Sequence, residues 1–321
     1  MQPIERHLTD DDLAAALRAD VRGGLRSAPK ALPPKWFYDE RGSALFEEIT
    51  ALDAYYPTRA ETALLVRHAP EVAAAARADT LLELGAGSGR KTRLLLDALS
   101  REGSLRRFVP VDVSGDFLEQ AARELAADHP AIVVAPVAAD FERHLHLLPS
   151  GGRRLVAMLG STIGNLVPEQ RAKFLGELRA AMGPGDTLLL GVDLVKDPAR
   201  LVAAYDDPQG VTAAFNRNVL LVLNRELGAD FVPAAFDHVA VWDPDAEWIE
   251  MRLRARAAQR VGLAALGMAV PFAAGEELRT ETSAKFRRER IGPELAAAGF
   301  ALTHWWGDGA ADFALLLAEP C

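Results

Sequence analysis

Thr80-Leu-Leu-Glu-Leu-Gly-Ala-Gly-Ser-Gly-Arg-Lys91 is the stretch on which the fold turns. The apolar run Thr80–Leu84 predicts a short buried strand, and Lys91–Leu99 predicts an amphipathic helix. Between them lies Gly85-x-Gly87-x-Gly89. Glycines permit a tight turn and a close approach of backbone to a ligand, and the start of a helix favours anionic groups. A plain strand-to-helix turn would use the same residues. The placement between these two elements favours a nucleotide-type ligand.

Working outward, the same alternation repeats. Strands are expected at Phe108–Val113, Ala131–Ala138, Leu155–Leu159 and Thr187–Val192, with helices at Phe117–Ala127 and Pro168–Met182. Short apolar strands separated by helices predict a parallel sheet covered on both faces. The dinucleotide pattern G-x-G-x-x-G would need glycine at position 90, where Arg90 stands. G-x-G-x-G after an acid, Glu83, has instead the shape of an S-adenosylmethionine loop. The second strand ends at Asp112, and an acid there can accept both ribose hydroxyls. The third ends at Asp140-Phe141, an acid for the adenine amine and a ring to cover the base. Asp112 alone would more often be a cap or turn residue, but three such strand ends in the correct order are not three accidents. Lys91 has two readings: a solvated first-turn lysine, or a partner for the carboxylate of the cofactor's methionine moiety. The second is preferred, because a cation at a helix N-terminus is disfavoured without a partner.

Beyond Asp193 the pattern changes. Helices are expected at Pro198–Tyr205 and Val211–Leu227, then a hairpin of Phe236–Trp242 and Ile249–Ala257. In its second strand Ile249, Met251, Leu253 and Ala255 share one face, and Glu250, Arg252, Arg254 and Arg256 the other. That alternation predicts a separate sheet with one wet face. A final helix (Gly292–Ala298) and the strands Ala301–Trp306 and Ala311–Ala318 can close the first sheet with an antiparallel hairpin.

Composition bounds the function. With 321 residues, 50% hydrophobic and 25% charged, the chain reads as a soluble globular protein, and at ~150 residues per domain about two domains are expected. The single cysteine, Cys321, excludes a disulfide framework and a thiolate zinc site, and fits a reducing cytoplasm. Forty-five acids against 36 bases, net −9, lack the basic footprint of a nucleic-acid binder. The charge-free run Val261–Gly275 is 15 residues long, short of the ~20 that span a membrane. The N-terminus lacks a basic-then-apolar signal pattern. A cytoplasmic protein with no membrane or nucleic-acid partner is expected.

Over nearly its whole length the sequence resembles the bacterial histidine Nα-methyltransferases of ergothioneine biosynthesis. The resemblance runs through Leu32-Pro-Pro-Lys-Trp-Phe-Tyr-Asp39, Tyr55-Tyr-Pro-Thr-Arg59, Leu159-Gly-Ser-Thr-Ile-Gly-Asn-Leu166, Asp193-Leu-Val-Lys-Asp197, Ala204-Tyr-Asp-Asp207, Ala213-Ala-Phe-Asn-Arg-Asn218 and His304-Trp-Trp306. It implies an α/β fold of the class I S-adenosylmethionine-dependent type: a Rossmann-like seven-stranded sheet ended by an antiparallel hairpin, with a second α+β substrate domain. The expected boundaries are 61–195 plus 287–321 for the methyltransferase domain and 1–60 plus 196–286 for the substrate domain. By the same resemblance Gly85, Lys91, Asp112, Asp140 and Phe141 hold the cofactor. Tyr55, Asn165 and Tyr205 hold the amino-acid end of histidine. Glu281 and Ser283 hold the imidazole, Thr282 takes part in binding and orienting histidine, and Met251 lines the pocket.

The residue types suit these roles. A carboxylate and a hydroxyl satisfy both nitrogens of an imidazole, and Glu281 and Ser283 share a side if their segment is extended. Taken alone they would more often be a solvated surface pair. Tyr55 and Tyr205 could be ordinary packed tyrosines, and Asn165 a cap for the helix opening at Pro168. His144-x-His146 lacks a third ligand nearby and reads as structural; His304 reads as edge-strand packing. The implied reaction is trimethylation of the α-amino group of L-histidine to hercynine, the first step of ergothioneine biosynthesis. Mono- and dimethylhistidine would be intermediates and no metal is needed. Without a strong general base in view, Tyr55 or water would relay the proton. A monomer is expected. The alternatives are methylation of another amino acid or an aromatic amine, a nucleotide-dependent oxidoreductase, and a non-catalytic S-adenosylmethionine-binding module.

Overall fold

A computed structural model describes residues 1–87 and 89–321; Ser88, within the glycine loop, lies outside the described residues. The chain divides into two units, one of Met1–Leu8, Pro57–Val195 and Lys285–Cys321, the other of Thr9–Tyr56 and Lys196–Ala284.

In the first unit the described residues form one sheet, in the order Glu5–Arg6, Val137–Ala138, Arg107–Asp112, Thr80–Leu84, Arg154–Met158, Thr187–Asp193, Phe313–Pro320, Phe300–Gly307. Strands pair in parallel up to Thr187–Asp193, and Phe313–Pro320 runs antiparallel to both neighbours. Every residue of Thr80–Leu84, Arg154–Met158 and Thr187–Asp193 is buried, which is why these strands read as largely apolar runs. At the entry to the fourth strand sits a buried ion pair. Arg154 Nη2 donates to Asp186 Oδ2 at 2.6 Å, and the Arg154 amide donates to Asp186 Oδ1 at 2.8 Å.

Two features differ from the sequence reading. The third strand, expected as Ala131–Ala138, is split into Val133–Val134 and Val137–Ala138. Pro136 lies in the gap and has no N–H to give the ladder. The first eight residues were expected with the substrate domain, but they join this sheet. Glu5–Arg6 pairs in parallel with Val137–Ala138, and the Gln2 and His7 amides donate to the Val134 and Ala138 carbonyls at 2.8 and 2.9 Å. So short an edge strand has no hydrophobic period to announce it.

The second unit has a sheet of Lys30–Ala31, Glu277–Ala284, Trp248–Ala255 and Phe236–Asp243, and a separate hairpin of Gln259–Leu263 with Met268–Phe272. That hairpin occupies most of the charge-free run and was not anticipated. Helices Asp10–Gly24, Glu40–Ala51, Pro198–Tyr205 and Val211–Leu227 belong to the same unit. Asp207 lies three residues before the N-cap Gly210 of the last of these and accepts from the Val211 and Thr212 amides at 3.0 and 2.7 Å, supplying acceptors for amides that have no partner inside the helix. Ile249, Met251, Leu253 and Ala255 are buried, but the opposite face is not simply wet. Glu250 is buried there, bonded by Trp248, Arg252 and Arg279, while Arg252 and Arg254 also reach Glu277. Cross-strand pairing turns alternate charges into a ladder.

Candidate active site

The glycine loop leaves the first strand with Gly85, Gly87 and Gly89 at φ of 74°, 52° and 68°, a region that side chains avoid. A Cβ on Gly87 would meet nothing within 4 Å, so this backbone lies open to a ligand. A Cβ on Gly89 would come within 2.8 Å of Leu125, so that glycine serves packing. One on Gly85 would lie 3.9 Å from the Phe141 ring, which brings the first and third strand ends together. Asp112 joins the second: its carboxylate accepts from the Gly87 amide at 3.2 Å and the Ser114 amide at 3.1 Å. Withdrawal from water raises the pKa of this carboxyl, against the pull of the Ser114, Gly87 and Val113 amides. Its turn-forming role is therefore real, and a carboxylate has lone pairs left for ribose hydroxyls. Asp140 likewise caps the short helix Phe141–His144 through the Glu142 amide at 2.9 Å. The His144 ring accepts from the Asp140 amide at 3.2 Å, so that histidine is structural.

Under the loop lies a group that the sequence reading missed. Glu61 is fully buried, ion-pairs with Lys91, and accepts from the Gly160 amide at 2.8 and 2.9 Å. Glu61 thus supplies the partner whose absence had argued for a ligand at Lys91. The available signal was an acid on a buried stripe: in helix Pro57–Ala76 it shares a face with Leu64, Leu65, Val72 and Ala76. Glu83, at the end of the first strand, is also buried and accepts from the Thr92 hydroxyl at 2.5 Å. Burial pushes its pKa up to about 8; the Thr92 bond and Lys91 pull the other way. Asn165 ends the turn Thr162–Asn165 beyond the fourth strand. The helix at Pro168 takes Val167 as its N-cap, so Asn165 is not that cap.

In the second unit the structure brings together Tyr55, Tyr205, Met251, Glu281 and Ser283, but not Thr282. The rings of Tyr55 and Tyr205 meet edge to face at 6.2 Å, and the Tyr205 hydroxyl lies 2.9 Å from Ser283 Oγ. Ser283 pairs with Ile249 and Glu281 with Met251, yet Arg252 pairs with Arg279. Thr280 is therefore a bulge residue without an opposite number. A strict strand carrying Leu278 inward would point Thr280 and Thr282 inward and Glu281 outward. The extra residue reverses this beyond it. Glu281 and Ser283 come onto the face of Ile249 and Met251, while Thr282, paired with Glu250, takes the opposite face. The side chain of Thr282 thus lies on the face away from Glu281 and Ser283.

His304 stacks on Trp306 with ring centroids 5.0 Å apart, a packing role. Among the described residues there is no group of three or more His, Cys, Asp or Glu side chains suited to a metal ion. No helix among them is long and apolar enough to cross a membrane.

Residues 17–320 match the family model described as histidine-specific methyltransferase, SAM-dependent. The chain is 58% identical, over 98% of both sequences, to the histidine N-alpha-methyltransferase of Mycolicibacterium smegmatis. It is 35% identical to ergothioneine biosynthesis protein 1 of Neurospora crassa over 63% of this chain and 24% of that one. Among solved structures, an S-adenosylmethionine-dependent methyltransferase from Clostridium acetobutylicum matches with a TM-score of 0.50 at 11% identity, covering 86% of this chain and 97% of that one. That likeness concerns the fold, the class I methyltransferase sheet.

Proposed function

The chain belongs to the family of S-adenosylmethionine-dependent, histidine-specific methyltransferases, and from that premise we propose how its residues divide the work of converting L-histidine to hercynine, the first step of ergothioneine biosynthesis. S-adenosylmethionine, when bound, supplies an electrophilic methyl group on a sulfonium. The first unit suits it: the open backbone at Gly87, the carboxylates of Asp112 and Asp140, and the Phe141 ring beside Gly85 are donor, acceptor and stacking groups of the right kinds. Lys91, already paired with Glu61, is assigned to the methionine carboxylate on the family resemblance alone.

Histidine falls to the second unit. Glu281 accepts the imidazole N–H, Ser283 serves the other ring nitrogen, and Met251 lines the ring. Tyr55 and Tyr205 take the amino-acid end; Asn165 is assigned to the amine on the family resemblance alone. A displacement in line requires a neutral amine with its lone pair aimed at the methyl carbon, so orientation is the main task. Each ammonium must lose a proton before attack, through Tyr55 or water. Mono- and dimethylhistidine are then substrates in turn, because long side chains that position the amine can admit added methyl groups.

The observation that carries this reading is the bulge at Thr280, which puts Glu281 and Ser283 on the face of Met251 beside Tyr205. Mass spectrometry of histidine incubated with the protein and S-adenosylmethionine tests the product. Three methyl groups on the α-nitrogen are expected. A monomethylated end product, or methyl on an imidazole nitrogen, would refute it.

A further inference from the structure

The bulge that aims Glu281 and the hydroxyl of Tyr205 belong to different elements, and one buried polar network ties them. Asn216 on helix Val211–Leu227 is fully buried. Its Oδ1 accepts from the hydroxyl of the bulge residue Thr280 at 2.6 Å. Its amide group faces the Arg252 carbonyl at 3.1 Å and His238 Nδ1 at 2.8 Å. The other nitrogen of His238, Nε2, lies 2.7 Å from the Tyr205 carbonyl. The His238 side chain is 2% exposed.

These contacts fix the protonation. A carbonyl oxygen only accepts, so Nε2 carries the proton; Nδ1 then accepts from Asn216, whose two amide hydrogens are both used. Tyr205 is the last residue of helix Pro198–Tyr205, and the final carbonyls of a helix have no partner inside it. His238 supplies one. Buried polar groups are tolerated when every one is paired, and an apolar pair would hold the sheet as well. What an apolar pair cannot do is set the rotation of the Tyr205 end of the helix relative to the bulge. Burial also lowers the pKa of His238, against the Tyr205 carbonyl and the acids Asp206 and Asp207 and with the help of Arg217.

We infer that Asn216 and His238 are positioning residues for histidine: through Thr280 they hold the bulge that turns Glu281 inward, and through the Tyr205 carbonyl they hold the tyrosine that meets Ser283. The inference rests on the assignment of Glu281, Ser283 and Tyr205 to substrate histidine. The imidazole contacts themselves remain with those residues.

The test is calorimetric histidine binding in the presence of S-adenosylhomocysteine, together with steady-state KM and kcat. His238→Phe keeps the ring and removes both hydrogen bonds; Asn216→Asp keeps the shape and removes both amide donors. Each should weaken histidine binding at least tenfold and raise KM far more than it lowers kcat, with S-adenosylhomocysteine affinity within twofold of the parent. His238→Gln, whose amide can still donate to the Tyr205 carbonyl, should recover part of the loss and also serves if His238→Phe folds poorly. A merely structural role would lower the melting temperature and leave the KM-to-kcat split unchanged. Folded His238→Gln and Asn216→Asp that bind histidine like the parent overturn the inference. Glu281→Ala is run alongside. If it too binds histidine like the parent, the site assignment falls, and the inference with it. If it weakens binding while the network variants do not, only the inference falls.

Discussion

Glu83→Gln isolates a carboxyl whose pKa burial pushes far above its ordinary value. Glu83 is 3% exposed and its pKa is pushed up to about 8 from an ordinary 4.5, with burial as the largest cause. Glutamine keeps the shape and an oxygen to accept from Thr92, but it cannot ionise. The sign follows from linkage. A carboxyl with a raised pKa in the folded state stabilises fully below its unfolded pKa. That stability is lost as pH climbs toward 8, because the unfolded chain releases its proton first. The slope is ~1.4 kcal/mol per pH unit within the window, flattening near the folded pKa, so the loss between pH 6 and pH 8 comes to about 2 kcal/mol. For a unit of this size that is roughly 4–8 °C in Tm. Chemical or thermal denaturation of parent and variant at pH 6, 7 and 8 reads it directly. The titration of groups that do not interact with Glu83 cancels in the difference between the two proteins. The variant should gain about 2 kcal/mol relative to the parent across the range. Parallel curves would mean that Glu83 is ionised throughout, and the burial argument would be wrong.

Asp112→Ala should weaken S-adenosylmethionine binding by roughly 1.5–3 kcal/mol through the loss of charge-assisted ribose bonds, with an added contribution from loosening the Gly87 amide; unchanged calorimetric affinity in a folded variant would remove Asp112 from the cofactor site. Glu281→Ala should weaken histidine binding by ~1.5–3 kcal/mol, a ten- to hundredfold effect, and relax discrimination against tryptophan; competition assays with the two amino acids check both, and an unaltered preference would place the imidazole elsewhere. Arg154→Ala leaves Asp186 charged, buried and without its guanidinium, which should cost about 3–5 kcal/mol in urea denaturation; a loss under ~1 kcal/mol would show that water replaces the arginine.

The sequence by itself determined the parallel sheet, the place of the glycine loop and the acids at the strand ends. The strand Thr80–Leu84 and the helices Pro198–Tyr205 and Val211–Leu227 are found at the bounds their periodicity predicts. These features are local: an apolar run, a helical stripe or a turn residue imposes its conformation on its own neighbours. Tertiary structure decided what depends on partners distant in sequence. Glu61 becomes the counter-ion of Lys91, and Asn216 meets His238 and Thr280, only after the chain has folded. Thr282 parts from Glu281 and Ser283 for a related reason. Alternation along a strand holds only while its register with the neighbour is unbroken, and a bulge is a property of the pair. Residues 277–284 alone contain nothing that says Thr280 will lack a partner; the pairing of Met251 with Glu281 and of Arg252 with Arg279 does.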